Sequence, residues 1–296
     1  MNGVVVVDKP RGPTSHDVVA AARRALREKS VGHTGTLDPL ATGVLALACG
    51  KATRLVRFLS ADDKDYEATV RFGLTTDSYD ISGRVVAETA ARPAREAVEA
   101  ALASLSGSRP QTPPAYSAKK VDGHRAYELA RQARPVDVPS ATVTLIASEV
   151  LAWSGDEVTL RLTTSAGFYV RTLAHEIGQL VGTGACLAGL RRTRSGSFTI
   201  SMAADMEVLM SGGAALVPMS QLLPQMSAVW VEAEGVDRVR HGRDLSDRQY
   251  QVAAGSRAPA PAGRSWTRVL GPTGDLVAVA SPAGVPGVLH PAVVLI

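Results

Sequence analysis

Aromatic residues are scarce in this sequence: 3 Trp, 6 Tyr and 4 Phe among 296 residues. The core must then be built from Val, Leu, Ile and Ala, and a Tyr in a polar segment stands out as a ring that packing alone does not require. Cysteine is scarcer still. Cys49 and Cys186 are too few and too far apart for a disulfide scaffold or a four-ligand zinc site. No apolar run approaches the roughly 20 residues that cross a bilayer. Met1-Asn2-Gly3-Val4 meets Asp8 and Lys9 before a secretory core can form. A cytoplasmic protein with no membrane attachment is the expectation. Missing motifs narrow the chemistry further. There is no Walker A sequence, no GxGxxG loop and no GxSxG elbow. His175-Glu176 continues into Ile-Gly-Gln, not the second histidine of a HExxH zinc helix. The metal, nucleotide and serine-hydrolase readings lose support, and no cofactor is expected.

What is present is globular material, 45% hydrophobic and 20% charged. The length suits two domains, or one large and one small. The net charge of +4 is unevenly spread: residues 1–60 carry nine Lys/Arg against four acids, and residues 61–110 carry six against nine. Basic clustering of this kind suits a phosphate-binding face, although Arg23–Lys29 equally describes a solvated helix face.

The β-branched run Val4–Val7 predicts a strand that ends in the Pro/Gly loop Asp8–Pro13. Thr14 or Ser15 can cap a helix with Val18, Val19, Ala22 and Leu26 on one face. A polar loop over Gly32–Gly43 precedes a buried strand, Val44–Ala48, and Tyr66–Phe72 alternates as a half-buried strand. Pro93 marks a helix start before Val98, Leu102 and Leu105. Gly107–Lys120, with three prolines, predicts a long loop. Val158, Leu160 and Leu162 alternate as a strand, and Tyr169–Val181 predicts a helix with Leu173, Ile177 and Leu180 on its apolar side. From Val229 onward the segments read as short and β-like, with a flexible stretch over Ala253–Ser265. The irregular mixture of strands and helices indicates an α+β fold, with a main domain over residues 1–227 and a small β-rich domain over 228–296.

One loop carries most of the chemical interest: Gly32-His33-Thr34-Gly35-Thr36-Leu37-Asp38-Pro39-Leu40-Ala41-Thr42-Gly43. Its glycines allow close approach of another backbone, and Pro39 holds Asp38 extended. On spacing alone, a turn-forming Asp with an Asx-type hydrogen bond is the commoner outcome.

This loop, continued by Val44-Leu45, resembles the signature of the TruB family of bacterial tRNA pseudouridine synthases. Further segments resemble that family's motifs in the same order. They are Asp8-Lys9-Pro10 with Gly12 and Ser15, Lys64-Asp65-Tyr66, Gln111–Lys120 around Pro113-Pro114-Ala115-Tyr116-Ser117-Ala118, Gly167-Phe168-Tyr169-Val170-Arg171-Thr172-Leu173, and Leu190-Arg191-Arg192-Thr193. Together they span about two-thirds of the chain. One departure is Phe168, where the family has Thr.

The resemblance implies a mixed, largely antiparallel catalytic sheet of pseudouridine synthase type and, by analogy, a PUA-like C-terminal domain. It implies isomerisation of uridine 55 in the T loop of tRNA, by a monomer that needs no guide RNA or obligate protein partner. By similarity Asp38 is the nucleophile, acting at C1′ or C6 or assisting departure of the base. Arg171 is the cation that offsets desolvation of Asp38, and Tyr66 stacks on the target base. Tyr169 and Leu190 line the uracil pocket, and His33 contacts the RNA. Lys9 supports the loop or a phosphate, and Lys119, Lys120 and Arg191 reach phosphates. A tRNA-binding folding assistant with secondary or lost catalysis is the alternative. A guide-RNA-dependent synthase is weaker still, because no segment suggests partner recruitment.

Overall fold

The computed structural model describes residues 1–114, 116, 138–256 and 265–296, together with the backbone of residues 120–121 and 124–125. Its centre is a ten-stranded sheet of order β14-β1-β3-β12-β4-β11-β10-β7, with β2 paired to β3 and β13 to β12. The strands are β1 (Gly3–Lys9), β2 (Val31–His33), β3 (Thr42–Cys49), β4 (Lys64–Phe72), β7 (Gly107–Gln111), β10 (Ala141–Ser154), β11 (Glu157–Thr164), β12 (Ala185–Ser195), β13 (Phe198–Thr199) and β14 (Leu216–Pro218); β5 (Leu74–Thr76) pairs with β6 (Val85–Glu88) and β8 (Lys120–Val121) with β9 (His124–Arg125) outside this sheet, and helices α2 (Val56–Leu59) and α3 (Arg95–Ser104) lie between strands.

Pairing is antiparallel except at one seam, where β3 runs parallel to β12 with Arg191 opposite Thr42 and Arg192 opposite Gly43. The seam needs a glycine. Gly43 has φ +98°, and a Cβ there would stand 2.2 Å from the Arg192 carbonyl oxygen. The functional loop enters β3 at this seam.

β1 is buried on both faces, which is why it reads as an unbroken valine run. Val5 and Val7 join Val18, Val19 and Ala22 of helix α1 (Ser15–Ala25). Val4 and Val6 join Leu270, Leu276, Val279 and Val293 from a second sheet on the opposite face. That five-stranded sheet has the order β16-β15-β17-β18-β19, formed by Gln251–Val252, Ser227–Trp230, Thr267–Leu270, Leu276–Pro282 and Leu289–Val294. Thr14 caps α1 in a reciprocal box with Asp17.

Three local expectations need correction. Residues 107–111 are strand β7 and not loop. Pro110 is tolerated because β7 lies at the sheet edge, where a missing N–H costs no ladder bond. Leu180 is exposed, so helix α4 (Val170–Leu180) buries Leu173, Ala174 and Ile177 instead. The C-terminal region also contains a helix, Ala233–Arg240, which its internal Gly235 disguises. Residues 257–264, within the stretch read as flexible, lie outside the described residues. Among the described residues, no helix is long and apolar enough to cross a membrane.

Several N-terminal cations serve the fold. Arg23 donates to the Val31 carbonyl at 2.8 Å, Arg54 donates to the Val294 carbonyl, and Arg57 lies over Phe58 and Trp266. The local excess of positive charge is thus only in part a free surface.

Candidate active site

The loop carrying Asp38 is fastened from both sides. Ser15 Oγ donates to the Leu37 carbonyl (3.0 Å) and accepts from the Leu37 N–H (2.8 Å). The Ala41 N–H closes a turn on the Asp38 carbonyl. Lys9 Nζ donates to the Ala41 carbonyl at 2.7 Å and the Pro10 carbonyl at 2.9 Å. From β12, the Arg192 guanidinium donates to the carbonyls of Gly35 (3.0 Å), Thr36 (3.4 Å) and Val44 (2.8 Å). Both ends of the loop are therefore held by buried cations donating to backbone carbonyls, which leaves the Asp38 side chain free to face the cleft.

The cleft holds about 260 Å³ and brings together Asp38, Tyr66, Tyr169, Arg171 and Leu190, with Phe168, Lys64 and Arg192 also on its walls. Arg171 occupies the first turn of α4, where a cation opposes the helix dipole and calls for acidic partners. It has two. Its Nε lies 3.0 Å from Asp38 Oδ2, and its Nη1 lies 3.4 Å from Asp80 Oδ2. It also donates to the carbonyls of Ser78 (3.2 Å) and Tyr116 (3.0 Å). The start of α4 is set by Gln111 at the end of β7, whose amide accepts from the Tyr169 N–H at 2.8 Å and donates to the Tyr169 carbonyl at 3.2 Å. Asp80 is buried, and its Oδ1 accepts from Ser78 Oγ, Ser82 N–H and Ser82 Oγ.

Burial raises the Asp38 pKa above the ordinary aspartate value. The Arg171 guanidinium opposes this, the Asp80 charge adds to it and Lys9 opposes it more weakly. Arg171 thus acts in the expected sense, with burial the larger influence. Lys9 and Lys64 are both lowered to about 8, chiefly by burial.

The other expected residues fall elsewhere. Lys9 is fully buried, so it supports the loop and does not reach a phosphate. His33 ends β2, edge-on to His16 at 6.0 Å between ring centroids, and borders the loop without lining the cleft. Arg191 pairs with Asp8 through two contacts of 2.7 and 3.1 Å, away from the cleft wall. Lys119 and the side chain of Lys120 lie outside the described residues.

Sequence reasoning missed Asp80, and it placed Lys64, Gln111 and Arg192 within motif segments without giving them a role. Strand alternation could have found Arg192: if Leu190 faces the pocket, its i+2 neighbour does too, and Arg191 faces away. Asp80 had only a weak signal, an acid inside the turn-like segment Ser78-Tyr79-Asp80-Ile81-Ser82-Gly83.

A carboxylate paired with a guanidinium, in the lining of a cleft that also holds two tyrosines, a phenylalanine and a leucine, can hold a planar ring and present an anion to its edge or to an attached sugar. Among the described residues no group of three or more His, Cys, Asp or Glu could hold a metal ion.

Comparison with known proteins gives the family. Residues 23–170 match the TruB family pseudouridylate synthase N-terminal domain, and residues 171–217 match the tRNA pseudouridylate synthase B C-terminal domain. The chain is 41% identical to a tRNA pseudouridine synthase B of Solibacter usitatus (strain Ellin6076), over the full length of both. It is 37% identical to one from Syntrophus aciditrophicus (strain SB), covering 95% of this chain and 91% of that protein. Among solved structures, a chain of a Cbf5-Nop10-Gar1 complex superposes with TM-score 0.75 at 25% identity, covering 99% of this chain and 85% of that one. The matched segments contain the Asp38 loop, Tyr66, Arg171 and the β12 wall of the cleft, and on these grounds the chain belongs to the TruB family of pseudouridylate synthases.

Proposed function

We propose that this chain isomerises uridine 55 in the T loop of tRNA to pseudouridine, with Asp38 as the nucleophile acting on a flipped-out uridine. The observation that carries the reading is the Asp38–Arg171 pair at 3.0 Å, in the lining of the same cleft as Tyr66 and Tyr169. Relatives bearing the name tRNA pseudouridine synthase B support tRNA as the substrate.

In the reaction the C1′–N1 bond breaks, a C1′–C5 bond forms, C5 loses a proton and N1 gains one. Atoms and electrons balance without any oxidant or reductant. Asp38 serves as an anion, whether it attacks C1′, adds at C6 or stabilises the departing base. Arg171 favours that anion against the pull of burial. Tyr66 stacks on the extruded base, while Tyr169 and Leu190 hold its edges. Extrusion costs a few kcal/mol, which stacking and phosphate contacts offset. His33, Arg191, Lys119 and Lys120 contact the RNA around the flipped nucleotide. Residues 1–227 form the catalytic domain, and residues 228–296 a PUA-like unit that adds RNA contact.

The test is direct. The purified chain is incubated with unmodified tRNA transcript, without guide RNA or added cofactor, and pseudouridine is mapped along the product. Product at position 55 is expected. Tight tRNA binding with no product would favour a folding assistant instead.

A further inference from the structure

The turn at residues 78–80 meets helix α4 at two points one helical turn apart. At the first, the Ser78 carbonyl and the Asp80 carboxylate engage Arg171. At the second, the Tyr79 ring lies flat on His175, with centroids 4.0 Å apart and planes within 9° of parallel. Tyr79 has φ +64°, a left-handed conformation that an aromatic residue seldom holds without support. The main chain around it is tied to β12: the Leu187 N–H donates to the Tyr79 carbonyl and the Ile81 N–H to the Leu187 carbonyl, both at 2.9 Å. His175 Nδ1 is buried with no hydrogen-bond partner among the described residues, and burial lowers the His175 pKa. Burial favours the neutral ring, and its visible role is the stack. Neither ring lines the cleft.

We propose that Tyr79 and His175 are positioning residues. Their stack holds the strained turn in the conformation that presents Ser78 and Asp80 to Arg171, and so fixes the guanidinium against Asp38. The inference rests on the assignment of Asp38 as nucleophile. Because His175 follows Arg171 by four residues on the same helix face, the two contacts constrain one turn from one rigid element.

Tyr79→Gly separates the possibilities, since it removes the ring and also relieves the backbone strain. If the bonds to β12 alone hold the turn, this variant keeps full activity. If the stack holds it, kcat on tRNA falls about two- to tenfold, the range that losing one aromatic pair allows. KM should stay near the wild-type value. The acid limb of the kcat profile should move to higher pH, because a loosened Arg171 offsets less of the burial at Asp38. Tyr79→Phe and His175→Phe keep ring on ring and should retain most of the wild-type rate. The double variant Tyr79→Gly/Asp80→Asn should lose less than the product of the two single losses, because the stack acts on Arg171 through the turn that carries Asp80 together with the Ser78 carbonyl. Full activity in Tyr79→Gly, an unmoved acid limb, Phe variants as slow as the Gly variant, or multiplying losses in the double variant would each overturn the proposal. A wild-type chain that makes no pseudouridine would instead overturn the functional assignment, so the two failures are distinguishable.

Discussion

Replacing Arg171 by Met probes the electrostatics of the cleft. Met fills much of the apolar stem's space and donates nothing. The Arg171 side chain is only 7% exposed, so water cannot readily replace it. Four contacts disappear: Asp38 at 3.0 Å, Asp80 at 3.4 Å, and the Ser78 and Tyr116 carbonyls at 3.2 and 3.0 Å. Asp80 keeps its three Oδ1 donors, so the turn around it should still form. A charge pair at about 4 Å is worth about 4 kcal/mol at an effective dielectric constant of 20. Deleting one partner of a pair buried on both sides, as Arg171–Asp80 is, costs about 3–5 kcal/mol, while the Asp38 side chain is 36% exposed and its share is reduced by solvent screening. If about 3 kcal/mol of that falls on the chemical step, kcat drops roughly 100-fold. The pH profile gives a second readout. Burial already raises Asp38, and Arg171 is the largest opposing influence. Its loss sends the pKa further up, and activity that needs the carboxylate then begins at higher pH. Steady-state release of tritium from C5 of uridine across pH 5–9 at saturating tRNA, with filter binding of tRNA alongside, measures both. A kcat within threefold of wild type, or an acid limb that stays or moves down, would refute the reasoning.

Other consequences follow from the cations that hold the loop. Arg192→Met strips three backbone carbonyls of their donor. It should cost about 3–5 kcal/mol, the lower part of what three stranded acceptors at about 1–3 kcal/mol each allow, which lowers the melting temperature by roughly 6–20 °C; an unchanged melting curve would contradict this. Lys9 titrates near 8 when folded and at 10.5 when exposed. Between those values the unfolded chain binds more protons, so the stability of the wild type relative to Lys9→Met should rise as pH increases from 8 to 10. Denaturant midpoints at the two pH values test this, and a falling difference would contradict it. Affinity for tRNA should weaken about tenfold or more between 50 and 200 mM salt if two or more phosphates are neutralised, and a flat response would argue against phosphate contact.

Much of the fold was legible where one periodicity ruled. The alternation in Tyr66–Phe72 and the cap-then-apolar pattern after Thr14 gave β4 and α1 with little error. Strand β7 was hidden because Pro110 reads as a breaker unless the strand is known to lie at an edge. Strand β10 was overlooked because two register shifts interrupt its alternation. For the site, the resemblance named Asp38, Tyr66, Tyr169, Arg171 and Leu190, and the fold brings these into one cleft. It could not supply the second acid on Arg171, since Asp80 is 91 residues away in sequence and meets the guanidinium only through the packing of its turn beneath α4. The choice between Arg191 and Arg192 turned on which face of β12 each occupies, and strand parity settles that in favour of Arg192 on the cleft side.

The most direct test of the central claim is the turnover of Asp38→Asn on unmodified tRNA, measured with its affinity for the same RNA. The substitution keeps the side chain's shape and removes its charge. The account predicts no detectable pseudouridine at position 55 and near wild-type binding. Undiminished turnover would take the carboxylate out of the chemistry and contradict the account.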